Sequence, residues 1–230
     1  MIKTPAQIAV MREAGRLLGQ VFSMLDSRVG AGQSTLELDA AVEAFIRNDL
    51  QARPASLGQY DYPFSINTSI NEVVCHGMPS AKDVLKDGDI VNIDITLEKG
   101  GFIADSSKMY MIGTVAPKAR RLVEQTFEAM WTGIRQVRPG ARLGDIGHAI
   151  QSHAQANGYS VVREYCGHGI GREMHEEPQI LHFGRPGTGL TLREGMVFTI
   201  EPMLNQGSAK VRSLKDGWTV VTRDNSLSAQ

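Results

Sequence analysis

The chain has 230 residues, 24 basic and 25 acidic side chains and a formal net charge of −1, a balance that gives no reason to expect a nucleic-acid or membrane partner. It is long enough for a sizeable core, but no stretch approaches the ~20 apolar residues of a membrane span, and its first thirty residues lack the apolar run of a signal peptide. Two cysteines, Cys75 and Cys166, are spaced neither as a zinc motif nor as a redox pair, so the expected compartment is the reducing cytoplasm.

Thr4-Pro5 opens a helix, because proline costs nothing where the amide has no partner. Its apolar face is Ile8, Met11, Leu18, Val21 and Leu25, ending before Gly30. Ser34 and Glu37 form a capping box for a second helix, with Leu38, Val42, Phe45 and Ile46 inward. From Leu85 a turn feeds a buried strand. Val91, Ile93, Ile95 and Leu97 share one face of it, and Asn92, Asp94 and Thr96 the other. Glu98-Lys99-Gly100-Gly101 is a tight turn into Phe102–Asp105. With Lys99 and Gly100 as the loop residues, Asp94 stands directly opposite Asp105, their Cβ atoms about 5 Å apart. Pro117 opens a third helix, with Val123, Phe127, Met130, Ile134 and Val137 on its apolar side. After Arg138-Pro139-Gly140 a fourth helix carries Leu143, Ile146 and Ile150.

The block Leu85–Asp94 returns 107 residues later as Leu192–Glu201, and both copies read as a turn, a buried strand and a terminal acid. Each follows a histidine in a Cys/Gly setting: His76 in Cys75-His76-Gly77, and His168 in Cys166-Gly167-His168-Gly169. Helices followed by grouped strands with short Gly-containing turns predict an α+β fold with antiparallel strands. The expected organisation is a single catalytic domain over 1–230. Its pseudo-twofold halves, about 4–115 and 116–230, each place two helices against a curved sheet.

Carboxylates as close as Asp94 and Asp105 repel one another. Such a pair persists through solvent exposure, a shared proton or a cation. Glu201 on the matching strand and His168 beside it favour the cation. Three carboxylates with one imidazole suit Mn, Fe, Co or Zn better than calcium, and such a set can bridge two ions. His175 is no zincin histidine: it has no partner four residues on, and Pro178 would break the helix. His76 and His175 read as hydrogen-bond partners of a reacting group. His148, His153 and His182 read as structural, and both cysteines as packing residues.

Together these positions resemble the type I methionine aminopeptidases. The matching strings are Ser69–Gly77, Asp89–Asp94, Asp105–Met109, Arg163–Gly171, His175–Pro178, Phe198–Met203 and Lys215–Thr219. The resemblance implies the pita-bread fold and, as cofactors, two divalent ions. Asp94 would hold one ion and Asp105 would bridge both, with His168 and Glu201 completing the other. It implies hydrolysis of the first peptide bond of nascent chains, with Glu201 relaying a proton, His175 facing the oxyanion and His76 assisting at the scissile nitrogen. Expected partners are N-terminal methionine and, peripherally, the ribosome, to which only Lys210, Arg212 and Lys215 offer a basic loop. The expected state is a monomer.

Two departures stand out. The resemblance implies a fifth, bridging glutamate on a further strand after Asn225–Gln230, and the sequence stops short of it, which predicts weak binding of a second ion. In the methionine pocket Tyr62 and Trp218 fit the family lining, and Met174 stands in for an aromatic residue. Gln59 and Asn67 make the wall more polar, which predicts looser selectivity, by about 1 kcal/mol, and cleavage of leucine or norleucine ends. The rival readings are an Xaa-Pro peptidase and a non-catalytic or weakly active pita-bread protein.

Overall fold

The computed structural model describes residues 2–230. Thr4 and Gln7 cap helix α1 (Pro5–Leu25) reciprocally, and Ser34 and Glu37 do the same for α2 (Thr35–Ala44), whose end widens into a π-helical turn, Phe45–Asp49. Strands β1 (Arg53–Pro54), β2 (Ile66–Ile70), β3 (Val73–Cys75), β4 (Ile90–Lys99) and β5 (Phe102–Met111) complete the first half. The second half contains α3 (Pro117–Ile134), α4 (Leu143–Ala156), β6 (Ser160–Val161), β7 (Gly167–Gly169) and β8 (Glu176–Ile180). It ends with β9 (Leu204–Asn205), β10 (Val211–Ser213), β11 (Val220–Thr222) and β12 (Ser228–Ala229). The strands form four separate sheets, and all their pairings are antiparallel. β4 is central to the largest, between β2 and β5, with β1 at its end; the others are β10-β11-β3, β12-β9-β6 and β7-β8.

Val91, Ile93, Ile95 and Leu97 of β4 pack with Leu18, Val21, Leu38 and Val42 of α1 and α2 in one core. A second core joins Leu122 and Ala129 of α3 to Ile146 and Ile150 of α4 and Leu204 of β9. The helices thus cover one side of β4 and leave Asn92, Asp94 and Thr96 on the other.

Three expectations need correction. The β4–β5 loop is Gly100-Gly101, not Lys99-Gly100, because Lys99 pairs with Phe102. Both loop residues have positive φ, 62° and 78°, as a two-residue hairpin loop of this kind requires and glycine alone adopts without cost. Asp94 therefore faces Ser107, and Asp105 faces Thr96. The register moves by two residues, so both acids keep the same face but lie diagonally rather than directly opposite.

The buried stripe of α3 is Ala119, Leu122, Val123, Thr126, Ala129 and Gly133, whereas Phe127 and Val137 are exposed. Small residues face α4, since a Cβ on Gly133 would come within 2.7 Å of Ile150. Of the expected face Val123 is buried and Met130 and Ile134 are half-buried, while Phe127 turns away and Val137 lies beyond the helix. Finally, the second copy of the repeated block is not a strand. From Leu192 to Glu201 it makes only isolated bridges, Met196 to Ile2 and Phe198 to Gly169.

Candidate metal centre

Four elements bring the acids and histidine together. Asp94 leaves the middle of β4 and Asp105 the facing part of β5. His168 is the central residue of β7, and Glu201 ends the second block. β7 is squeezed between two chains: a Cβ on Gly167 would fall 2.4 Å from the Thr199 carbonyl oxygen, and one on Gly169 2.2 Å from that of Glu177. The glycines beside His168 thus admit the backbones on either side, and the Thr199 amide donates to the His168 carbonyl at 2.8 Å.

The His168 Nε2 lies 3.4 Å from Asp105 Oδ2 and 3.4 Å from Glu201 Oε1. Its Nδ1 is 3.1 Å from the Gly169 carbonyl oxygen. A carbonyl only accepts, so Nδ1 carries a proton and Nε2 is the nitrogen left to meet the carboxylates, through a shared proton when metal-free and through its lone pair when a cation is bound. Asp105, His168 and Glu201 each offer a ligand atom, all within 4.8 Å of one another. Asp94 joins them through a side-chain hydrogen bond to Asp105.

Burial, then the charges of Asp105 and Glu201, push the Asp94 carboxyl well above the usual range. Burial and the Asp105 charge push Glu201 up to about 7, against the pull of His168, the Thr199 hydroxyl and the Gln230 amide. For His168 burial opposes protonation, but the Asp105 hydrogen bond and the two carboxylate charges outweigh it and raise its pKa. Left to themselves these groups must share protons. A divalent cation would replace those protons, and a donor set of carboxylates plus one neutral imidazole fits it.

A cavity of about 530 Å³ opens on this cluster, lined also by Gln59, Tyr62, Asn67, His76, Met174, His175 and Trp218. All the pocket residues anticipated from sequence therefore converge on one space. Tyr62 and Trp218 meet edge to face with centroids 4.9 Å apart, and the Tyr62 hydroxyl donates to the Ile66 carbonyl at 2.9 Å. The rings of His168 and His175 are 4.4 Å apart. Burial lowers the pKa of His76 and of His175, helped by the neighbouring imidazole in each case. Both are therefore neutral near pH 7. Burial raises the Cys75 and Cys166 thiols, which agrees with packing roles. Pro178 sits in strand β8, so the helix a zincin needs is indeed absent there.

A larger trough of about 810 Å³ reaches the same acids from the opposite side, between β5, α3 and residues Val197–Pro202. It lacks the histidines, so the smaller cavity is the better substrate site.

The model of metallopeptidase family M24 matches residues 9–225. The chain belongs to this family. It is 52% identical to the methionine aminopeptidase of Escherichia coli over 229 residues, 100% of this chain and 87% of that protein. The crystal structure of methionine aminopeptidase from Rickettsia prowazekii superposes with a TM-score of 0.97 at 51% identity, covering 100% of this chain and 92% of that one. The Thermotoga maritima methionine aminopeptidase also gives 0.97, at 38% identity, again with 100% of this chain and 92% of that one covered. The fold is the pita-bread fold of M24, as the resemblance implied.

Some site residues escape sequence reasoning. The Thr199 hydroxyl accepts from the His168 amide at 2.9 Å and donates to Glu201 Oε1 at 2.5 Å. Its spacing of two from Glu201 was the available signal. His182, expected to be structural, is fully buried, and its Nε2 accepts the Glu201 amide at 3.1 Å. The Gln230 side-chain amide donates to Glu201 Oε2 at 3.2 Å. Nothing in the sequence marks either of these two. His148 and His153 lie away from the site, bonded to Ser152 and Gln125.

Proposed function

We propose that this chain is a methionine aminopeptidase: it removes the N-terminal methionine of nascent proteins by metal-dependent hydrolysis of the first peptide bond, in the cytoplasm and as a monomer. The observation that carries this reading is the meeting of Asp105, His168 and Glu201 within 4.8 Å, beside a cavity walled by two neutral histidines and an apolar pocket. The ligands come from both halves, which supports one catalytic unit over 1–230. We assign Asp94, Asp105, His168 and Glu201 to two divalent ions, drawn from Mn, Fe, Co or Zn. What bound cations supply there is polarisation of the substrate carbonyl and a more acidic water.

The protein's own groups do the rest. Tyr62, Met174 and Trp218 receive the methionine side chain, with Gln59 and Asn67 as the polar part of the wall. His175 donates a hydrogen bond toward the carbonyl oxygen as charge develops on it. His76 does so near the scissile nitrogen. Glu201, with a carboxyl that titrates near neutrality when metal-free, takes and returns the water proton.

Methionine release from a Met-Gly peptide, followed while Mn, Fe, Co or Zn is titrated in, tests this. Metal-dependent release is expected, with detectable cleavage of norleucine or leucine ends. Release confined to Xaa-Pro peptides, or none with any metal, would overturn the assignment. Identity of 52% to methionine aminopeptidases supports the first outcome over the Xaa-Pro reading. Association with the ribosome through Lys210, Arg212 and Lys215 belongs to the same proposal, and ribosome co-sedimentation tests it.

A further inference from the structure

Lys3 precedes the first helix, yet it is only 8% exposed. A lysine loses much hydration on burial and stays there only with a partner. Its ammonium pairs with Oε2 of Glu176, 173 positions away. The other oxygen of that carboxylate accepts the Arg172 amide at 3.0 Å and lies 3.5 Å from the Glu173 amide. Glu176 thus folds back over its own loop and ties the loop's start to its end, with His175 immediately before it.

The Lys3 amide donates to the Gly195 carbonyl at 2.7 Å, and Ile2 bridges Met196. The N-terminal residues therefore lace the His168–His175 loop to the block that ends in Glu201. Two motif glycines make room for them. A Cβ on Gly171 would fall 2.4 Å from both Glu176 Oε1 and Lys3 Nζ, and one on Gly195 would fall 2.7 Å from the Lys3 carbonyl oxygen. The Gly171 carbonyl also accepts the Ile103 amide at 2.8 Å, two residues from Asp105. Beneath the loop, Met11, Phe102, Ile103, Ile170 and Met174 form a separate apolar cluster.

We propose that Lys3 is a positioning residue for His175: its buried pair with Glu176, cradled on Gly171, holds the Ile170–Glu176 loop so that the His175 ring stays against His168 and over the substrate cavity. This rests on the aminopeptidase reading of the site. Removing the ammonium breaks the hydrogen bond that holds Glu176 Oε2 and cuts the tie between this loop and the N-terminal segment. The loop then escapes by swinging that carboxylate toward water, and His175 moves with it.

The test compares Lys3→Met, Glu176→Gln, Lys3→Met/Glu176→Gln, His175→Ala and Lys3→Met/His175→Ala in the metal-loaded enzyme on a Met-Gly peptide. Lys3→Met should lower kcat about tenfold with KM nearly unchanged, since misplacement of about 1 Å can cost up to a hundredfold. The neutral pair Lys3→Met/Glu176→Gln should recover most of that loss. In the His175→Ala background Lys3→Met should cost nothing further. A kcat unchanged by Lys3→Met, or an equal loss with and without His175, overturns the inference. Should Lys3→Met fail to fold, Glu176→Gln alone enters the same cycle. Ring NMR resonances of the histidines need no turnover: His175 should shift in Lys3→Met and return in the double variant, while His148 and His153 stay. An unmoved His175 resonance sinks the positioning role by itself. A wild-type protein that releases no methionine sinks the functional reading instead.

Discussion

The two copies of the repeated block share a turn and an acid but not a secondary structure. Gly88 and Gly195 hold the same left-handed turn, with φ of 93° and 86°. After it, β4 is paired on both sides and its residues from Ile90 to Leu97 are buried apart from Asp94. Residues Met196–Ile200 are only half-buried and meet β7 on one side, while the other side faces the trough. A strand is a property of its neighbours as much as of its sequence. Asp94 is therefore held by a sheet, and Glu201 by individual hydrogen bonds, accepted by its carboxylate from Thr199 and Gln230 and donated by its amide to His182.

The contrast between a sheet-held and a side-chain-held acid can be broken in order of effect. Glu201→Gln removes both a ligand charge and the proton carrier, so kcat should fall about a thousandfold or more, as for loss of a key electrostatic group. Asp94→Asn, which removes a ligand charge alone, should mainly raise the metal concentration needed for activity. Steady-state kinetics across a metal titration separate the two, and identical profiles would erase the difference.

His182→Leu leaves the Glu201 amide without its acceptor. Metal affinity should fall about 10- to 100-fold, the usual cost of losing a group that orients a ligand. His182→Gln, which can still accept, should recover most of it, and isothermal titration reads both. No comparable single support exists for Asp94, whose backbone is held by two neighbouring strands.

A third outcome concerns protons. In the metal-free protein burial and Asp105 raise Glu201 to about 7 from 4.5, so the folded state binds more protons than the unfolded one between those values. Its stabilising contribution is complete below the lower value and is lost as pH rises through about 7. Metal binding near pH 6.5 should release about one proton, and affinity should increase with pH. Calorimetry in buffers of different ionisation enthalpy checks this. Proton uptake, or none, would contradict the shared-proton description.

The smallest effect lies in the first half. Gly101→Ala places a side chain at φ 78°, with its Cβ 3.2 Å from Arg172 Nη1. Stability should fall by about 1 kcal/mol, measured by denaturant melts, with little change in kcat.

Much of this was legible beforehand because it depends on local chemistry. The helix start at Thr4-Pro5, the capping box at Ser34, the proline at residue 117 and the alternation along β4 each act within a few residues. The repeated block with its two acids and His168 pointed to the place where Asp105, His168 and Glu201 meet. The hairpin register was misjudged although its signal was local: two glycines both able to take positive φ outcompete a lysine for the loop. The face of α3 is rotated from the one the pattern favours: Val123 stays inward, but Ala129 and Gly133 rather than Phe127 meet α4, because close helix contact there admits only small residues.

Residue types and their order determined the four helices, the β4–β5 hairpin and the family. Tertiary structure alone decided which groups support Glu201, that His182 accepts its amide and Lys3 pairs with Glu176, and that one copy of the block becomes a strand while the other does not. These depend on groups up to 173 positions apart meeting in space, and no local pattern encodes a distance.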